Sequence, residues 1–311
     1  MNPRPPIQPL LVLAFGILAV STASVFIRYA QEYAPSLVIA AYRLTIASLI
    51  LTPLALTGRR QELAGLGRKS LVLGLLSGFF LALHFATWIS SLEYTSVASS
   101  VVLVSTTPLW VALLSPFTLK ERINRNVWIG MGLALIGGII VGVSDSCSWH
   151  GGSLVCPPVS EFIKGQAFFG DMLALIGALM GASYIIIGRR LRAGMSLIGY
   201  IFIVYGMAAV VLIILVFSAG YPATGYPPIA YVWFLLLALV PQLLGHSSFN
   251  WALKYLSAAY VSISLLGEPI GSTILAYIIL DEVPSGIKIF GAILILAGIY
   301  IASLSERQSK E

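Results

Sequence analysis

SLLGEPIGSTILAYIILDE, running from Ser264 to Glu282, sets a carboxylate and a proline side by side inside an apolar run. A charge at the centre of a membrane helix costs about 2.5 to 3.5 kcal/mol on insertion scales, so Glu268 is expected to face protein or water rather than lipid. Pro269 removes a backbone N–H beside it, and an interrupted helix at membrane depth is tolerated only where the freed carbonyls meet a cavity or other protein. The stretch therefore predicts a broken helix against an internal cavity.

The surrounding chain fits that reading. Its 311 residues are 58% hydrophobic and 10% charged, with a mean hydropathy of +0.94, whereas soluble domains carry about one quarter charged residues. Apolar runs of about twenty residues predict ten helices, at 9–28, 34–57, 70–92, 95–117, 126–143, 166–188, 195–219, 229–252, 258–280 and 285–304. The expected class is an all-α polytopic membrane protein in contact with the lipid bilayer. MNPRPP is too weakly basic to make the first run a secretory signal, and its loss would leave nine helices.

Basic residues set the expected orientation. Fourteen of the eighteen Lys and Arg fall in connections on the N-terminal side, among them Arg59, Arg60, Arg68, Lys69, Arg189, Arg190 and Arg192. Positive-inside bias then places both termini in the cytoplasm. The net charge of +6 follows from topology, and no nucleic-acid partner is needed to account for it. Cys147 and Cys156 both fall in the long connection 144–165, which this topology puts outside. A disulfide in an oxidising compartment and two free thiols are the main alternatives; a metal site with His150 would have an incomplete ligand set.

Displacing the sequence by 161 residues aligns Leu92–Gly142 with Leu253–Ser303 without a gap. Tyr94, Ser96 and Ala98 meet Tyr255, Ser257 and Ala259; Pro108 meets Pro269, Glu121 meets Glu282, and Gly130 and Gly137 meet Gly291 and Gly298. Apolar bias does not repeat proline, glutamate and glycine in register, so two structural repeats follow. They are expected to span 1–143 and 166–311, with five helices each. Five is odd, so the second copy enters from the other side and the repeats are inverted, the plan that places substrate at interrupted helices near the midplane. Pro108 and Pro269 mark such a pair.

Several intramembrane residues could carry chemistry. Arg43 and Glu268 both reach the midplane. Arg43 reads as a structural lock, paired with Glu268 or with carbonyls, or as an anion-binding group. Glu268 reads as a proton-coupling or amine-binding group, or as a structural partner. Helical spacing puts Tyr260, Ser264, Glu268 and Ser272 on one stripe, Gln242, His246 and Asn250 on a second, and His84, Trp88 and Ser91 on a third. Thr107 stands beside Pro108 and joins the expected cavity residues. Single serines and histidines in membrane helices are more often hydrogen-bonded packing, while histidine also suits proton relay. Gly130, Gly132, Gly137, Gly138, Gly291 and Gly298 offer small surfaces for packing helices five and ten, and Glu121 and Glu282 are expected to cap the turns before them.

Enzyme readings are weak, a Ser/His dyad of Ser105 or Ser264 with His84 or His246 being the one the sequence leaves open. The chain holds no paired-histidine metal motif, no GxSxG and no phosphate loop, and FFGD stands where an intramembrane aspartyl pattern would need GxGD. No cofactor or metal is expected.

AAYRLTIASLILTPLAL around Arg43, ATWISSLEYTSVASSVVLVSTTPLWVALLSPFTLKERI and IGMGLALIGGIIVG in the first repeat, with GDMLALIGALMGASYIIIGRRL, NWALKYLSAAYVSISLLGEPIGSTILAYIILDEV and FGAILILAGIYIA in the second, resemble the drug/metabolite transporter superfamily, specifically its ten-helix members with two EamA-type repeats. The resemblance covers nearly the whole chain. It implies a secondary transporter, most often an exporter, of small organic metabolites such as amino acids, working by alternating access in a cell inner membrane, with protons as a candidate coupling ion. It also implies a cavity between helices 1–4 and 6–9, with helices 5 and 10 peripheral. Nucleotide-sugar or other organic-anion transport on the same fold is the alternative, followed by a passive channel or a non-transporting helper. The chain departs from the pattern at Met180 and Gly181, where a tryptophan is common, and in its longer two-cysteine connection.

Overall fold

The computed structural model describes residues 6–118, 125–146, 148–150, 153–155, 158–256 and 258–308. The helices group in chain order into ten spans. The first consists of α1 (Pro9–Ser21) and α2 (Ala23–Gln31), the second of α3 (Ser36–Gly58), and, after the short α4 (Arg60–Ala64), the third of α5 (Arg68–Tyr94). The fourth is α6 (Val97–Val104) plus α7 (Thr107–Thr118), and the fifth is α8 (Arg125–Ser146). Strands β1 (Ser148–His150) and β2 (Ser153–Val155) then pair antiparallel, Ser148 opposite Val155, before the short α9 (Val159–Lys164). The sixth and seventh spans are α10 (Gln166–Arg192) and α11 (Leu197–Ser218). The eighth runs through α12 (Pro228–Leu237), a π-helical segment (Ala238–His246) and α13 (Ser247–Ala252). The ninth is α14 (Ala258–Ser264) plus α15 (Gly267–Leu280), and the tenth is α16 (Gly286–Gln308).

Eight of these spans are long and apolar enough to cross a membrane, and α8 and α16 contain shorter apolar stretches within helices of 22 and 23 residues. The face where α1 begins is called the N-terminal face below, and the other the far face. The chain is a multi-pass membrane protein built as two inverted five-helix repeats. Cys147, Cys156 and Glu121 lie outside the described residues.

Helix boundaries follow local chemistry. Pro9 and Pro228 sit in the first turns of α1 and α12, where a missing N–H costs no intrahelical bond. The Ser96 and Ser196 hydroxyls cap α6 and α11 by accepting from the Ser99 and Gly199 N–H groups. The two interrupted spans break two to four residues ahead of their prolines. Turns at Ser105–Thr106 and Leu265–Leu266 separate the pieces, and Pro108 and Pro269 fall inside the first turns of α7 and α15. A proline there removes an N–H that had no partner anyway.

The inverted symmetry is written into the hydrogen bonds. In the first repeat Arg28 Nη1 donates to the Leu92 carbonyl and Gln31 Nε2 to the Ile89 carbonyl. In the second, Arg189 Nη1 donates to Leu253 and Arg192 Nε to Asn250. All four donor and acceptor positions are displaced by the same 161 residues as the aligned prolines. One bracket ties span one to span three at the far face, and its copy ties span six to span eight at the N-terminal face.

The glycines show the same two-fold. Helices α8 and α16 pack along each other. A Cβ at Gly137 would fall 2.6 Å from the Gly291 carbonyl oxygen, and one at Gly298 would fall 2.5 Å from that of Gly130. Gly130 corresponds to Gly291 and Gly137 to Gly298, so the contacts exchange partners as a two-fold axis requires. Close backbone approach through glycine is how helices associate where the surrounding solvent is itself apolar.

Candidate functional site

A cavity of about 50 Å³ lies between the repeats. The first repeat contributes His84 and Trp88 from α5, and Val104, Ser105, Thr107 and Pro108 from the break in the fourth span. The second contributes Gly181 and Tyr184 from α10, His246 and Asn250 from the eighth span, and Glu268 from α15. Along their spans these positions run from Trp88, on the far-face half of α5, through the middle to Leu253 and Val261 nearest the N-terminal face. The volume holds a few water molecules and is well below the roughly 300–1,000 Å³ of ligand pockets.

Glu268 stands in the first turn of α15. The helix break that precedes it leaves the carboxylate at the positive end of the α15 dipole, which stabilises a charge that lipid would reject. Its own N–H donates to the Leu265 carbonyl over 2.9 Å. His84 Nδ1 bonds the Gly177 carbonyl at 2.8 Å, so that nitrogen carries a proton. The His84 ring stacks on Trp88 at 5.9 Å and stands 6.4 Å from His246. Gly181 makes room for it, since a Cβ there would come within 3.0 Å of His84 Nδ1.

A tyrosine–amide network holds the N-terminal side of the cavity. Tyr184 Oη donates to Asn250 Oδ1 at 2.6 Å, Asn250 Nδ2 donates to Tyr205 Oη at 3.2 Å, and Tyr205 Oη lies 3.3 Å from Ser247 Oγ. Beneath it, Ser77 and Tyr200 are joined at 2.9 Å. The network spans α5, α10, α11 and α13, and fixes Asn250 with its amide satisfied from both sides.

Arg43 is fully buried one layer behind the cavity wall. Its Nε donates to Gln242 Oε1 at 2.9 Å, and its guanidinium carbon sits 4.1 Å from the centre of the Phe85 ring. Phe85 in turn touches His246, with ring centres 5.2 Å apart. Nη1 and Nη2 of Arg43 and Nε2 of Gln242 have no hydrogen-bond partner among the described residues. The direct pairing of Arg43 with Glu268, one of the partners expected from their shared depth, is not formed; Arg28 pairs with Glu282 at 3.1 Å.

Of the ten residues expected at the cavity, His84, Trp88, Thr107, Pro108, His246, Asn250 and Glu268 line it, while Arg43, Ser264 and Pro269 do not. Ser264 bonds its own helix at the Tyr260 carbonyl, 2.9 Å away. Thr107 bonds the carbonyls of Val104 and Ala178 at 2.8 and 3.3 Å. Glu282 does not cap the turn into α16; its carboxylate accepts from Arg28 and from the Val97 N–H at the start of α6. The sequence reading passed over Tyr205 and the partnership of Gln242 with Arg43. A signal existed for the second: Pro241 inside an apolar span produces the π-helical segment that presents Gln242.

The EamA-like transporter family model matches residues 8–143 and again 168–304. The chain belongs to that family. The two matches correspond to the two halves joined by the hairpin connection. Like other EamA-like transporters, the chain works in a lipid environment on a small-molecule substrate. It is 22% identical over 303 residues to an uncharacterized transporter of Archaeoglobus fulgidus, covering 96% of this chain and 98% of that one. It is 23% identical to the pseudopaline exporter CntI of Pseudomonas aeruginosa, covering 96% of each chain. A solved crystal structure superposes with a TM-score of 0.66 at 18% identity, over 96% of this chain and 99% of that one, and so shares the fold.

Proposed function

We propose that this EamA-like protein is a secondary transporter that exports small organic metabolites, amino acids among them, by alternating access. The single observation that carries the reading is the placement of the cavity. Both repeats line it, both proline-marked breaks border it, and Glu268, two imidazoles and the Tyr184 phenol are its ionisable groups. A site shared by two inverted repeats can be exposed to either face as they rock. The present volume is too small for an amino acid, so loading requires the repeats to part. The similarity to a pseudopaline exporter supports the outward direction. The basic N-terminal side supports a cytoplasmic position for both termini, in an inner membrane.

Organic-anion transport fits less well. The cavity lining contains no Lys or Arg, and a phosphorylated or nucleotide-linked substrate calls for several. Arg43 reads here as a cation anchored by Gln242 and Phe85, and Glu268 as the group that binds a substrate amine or a proton. Counterflow into proteoliposomes loaded with amino acids and similar metabolites tests the reading. Saturable exchange supports a carrier, flux without saturation would indicate a channel, and binding without exchange would indicate a helper.

A further inference from the structure

We infer that Arg28 and Glu282 form a latch that holds the far face closed; the inference rests on the transport reading above. Arg28 ends span one, where it donates to the carbonyls of Leu92 and Thr95 in the turn between spans three and four. Its Nη2 also meets Glu282 Oε1, which belongs to the turn between spans nine and ten of the other repeat. The second oxygen of Glu282 accepts from the Val97 N–H at 2.9 Å, and Lys288 Nζ donates to Ser96 Oγ at 2.8 Å. Thr95 adds a bond to Asp171 of α10 at 3.1 Å. Each of these last contacts joins one repeat to the other around the first turn of α6.

Arg189 occupies the position equivalent to Arg28 and donates to the carbonyls of Leu253 and Lys254 within its own repeat. The within-repeat bracket is thus present at both faces; the cross-repeat carboxylate contact described is the one at the far face, Glu121, the equivalent of Glu282, lying outside the described residues. Most of the cavity lining lies from the midplane toward the N-terminal face, with Trp88 on the side of the latch. Opening toward the far face must carry the turn at Glu282 away from Arg28 and from the α6 N-terminus. Glu282 then loses an ion pair and a charge-assisted bond to a helix end together, so the latch biases which face is open.

The test uses full-length protein with Cys147 and Cys156 replaced by serine and a single reporter, Ser105→Cys, in the cavity wall. A membrane-impermeant thiol reagent is applied to each face in membrane vesicles of opposite orientation. Glu282→Gln, which keeps the shape of the side chain and an acceptor for Val97, is expected to raise labelling from the far face about three- to fivefold, the scale set by one partly exposed ion pair. Lys288→Met is expected to move it the same way. Unchanged far-face labelling in both variants, with melting temperatures preserved, would overturn the latch. Counterflow by the protein without the reporter separates the two ideas. A labelling shift without saturable exchange leaves the latch and removes the transport reading, while saturable exchange without a labelling shift does the reverse.

Discussion

Arg43 is bound to Gln242 through one of its three guanidinium nitrogens, and no other acceptor among the described residues reaches it. Phe85 covers one face of the cation. A buried charge held this sparsely is stable as a unit and costly once a partner is lost. Gln242→Leu is therefore expected to destabilise the protein by about 3–5 kcal/mol, read as a lower melting temperature in detergent. The double variant Arg43→Met with Gln242→Leu is expected to recover most of that loss. A double variant as unstable as the single would show that the bond is not the role of Gln242.

Gly181 sets the size of the cavity next to His84. Gly181→Trp, which puts into this chain the residue common at that place in the family it resembles, is expected to push the His84 ring from Gly177 and fill the cavity. The expected result is at least a tenfold loss of transport at about 1–3 kcal/mol of destabilisation from overpacking. Gly181→Ala should lie between. Full transport by the tryptophan variant would place the substrate elsewhere.

The glycine crossing of α8 and α16 lies outside the cavity lining. Gly298→Leu has no room against the Gly130 carbonyl and is expected to lower stability by about 1–3 kcal/mol, with the KM for substrate unchanged in the protein that remains folded. A changed KM would give the outer helices a part in binding.

Cys147 directly precedes and Cys156 directly follows the paired strands β1 and β2 in sequence. We expect them to be bonded in an oxidising compartment. Intact-cell labelling with a thiol reagent should then modify neither until a reductant is added, and labelling of both without reductant would contradict the bond.

The positions of the ten spans and the inversion were legible in the sequence because both rest on long-range patterning: apolar runs of fixed length, and Pro108 and Pro269 in register with Glu121 and Glu282. The line of cavity residues through His84, Asn250 and Glu268 was legible for a related reason, as polar residues repeating at helical spacing stand out against an apolar background. Partner choice was not legible. Depth along a helix put Arg43 level with Glu268, but rotation about the helix axis and the π-helical register around Pro241 give it Gln242 instead. Glu282 reads locally as a helix cap, and only the approach of the two repeats brings it to Arg28, 254 residues away. Tyr205 carries no local signal, because one tyrosine in an apolar span is indistinguishable from packing until its neighbours are placed.

The central claim is that Glu268 lies in the transport path. The most direct measurement is uptake into proteoliposomes under an imposed pH gradient, with wild type and Glu268→Gln compared at equal protein. The account predicts saturable uptake that the gradient drives and that the glutamine variant loses, with its melting temperature kept. Exchange that survives in the variant and ignores the gradient would contradict it and return Glu268 to a structural role.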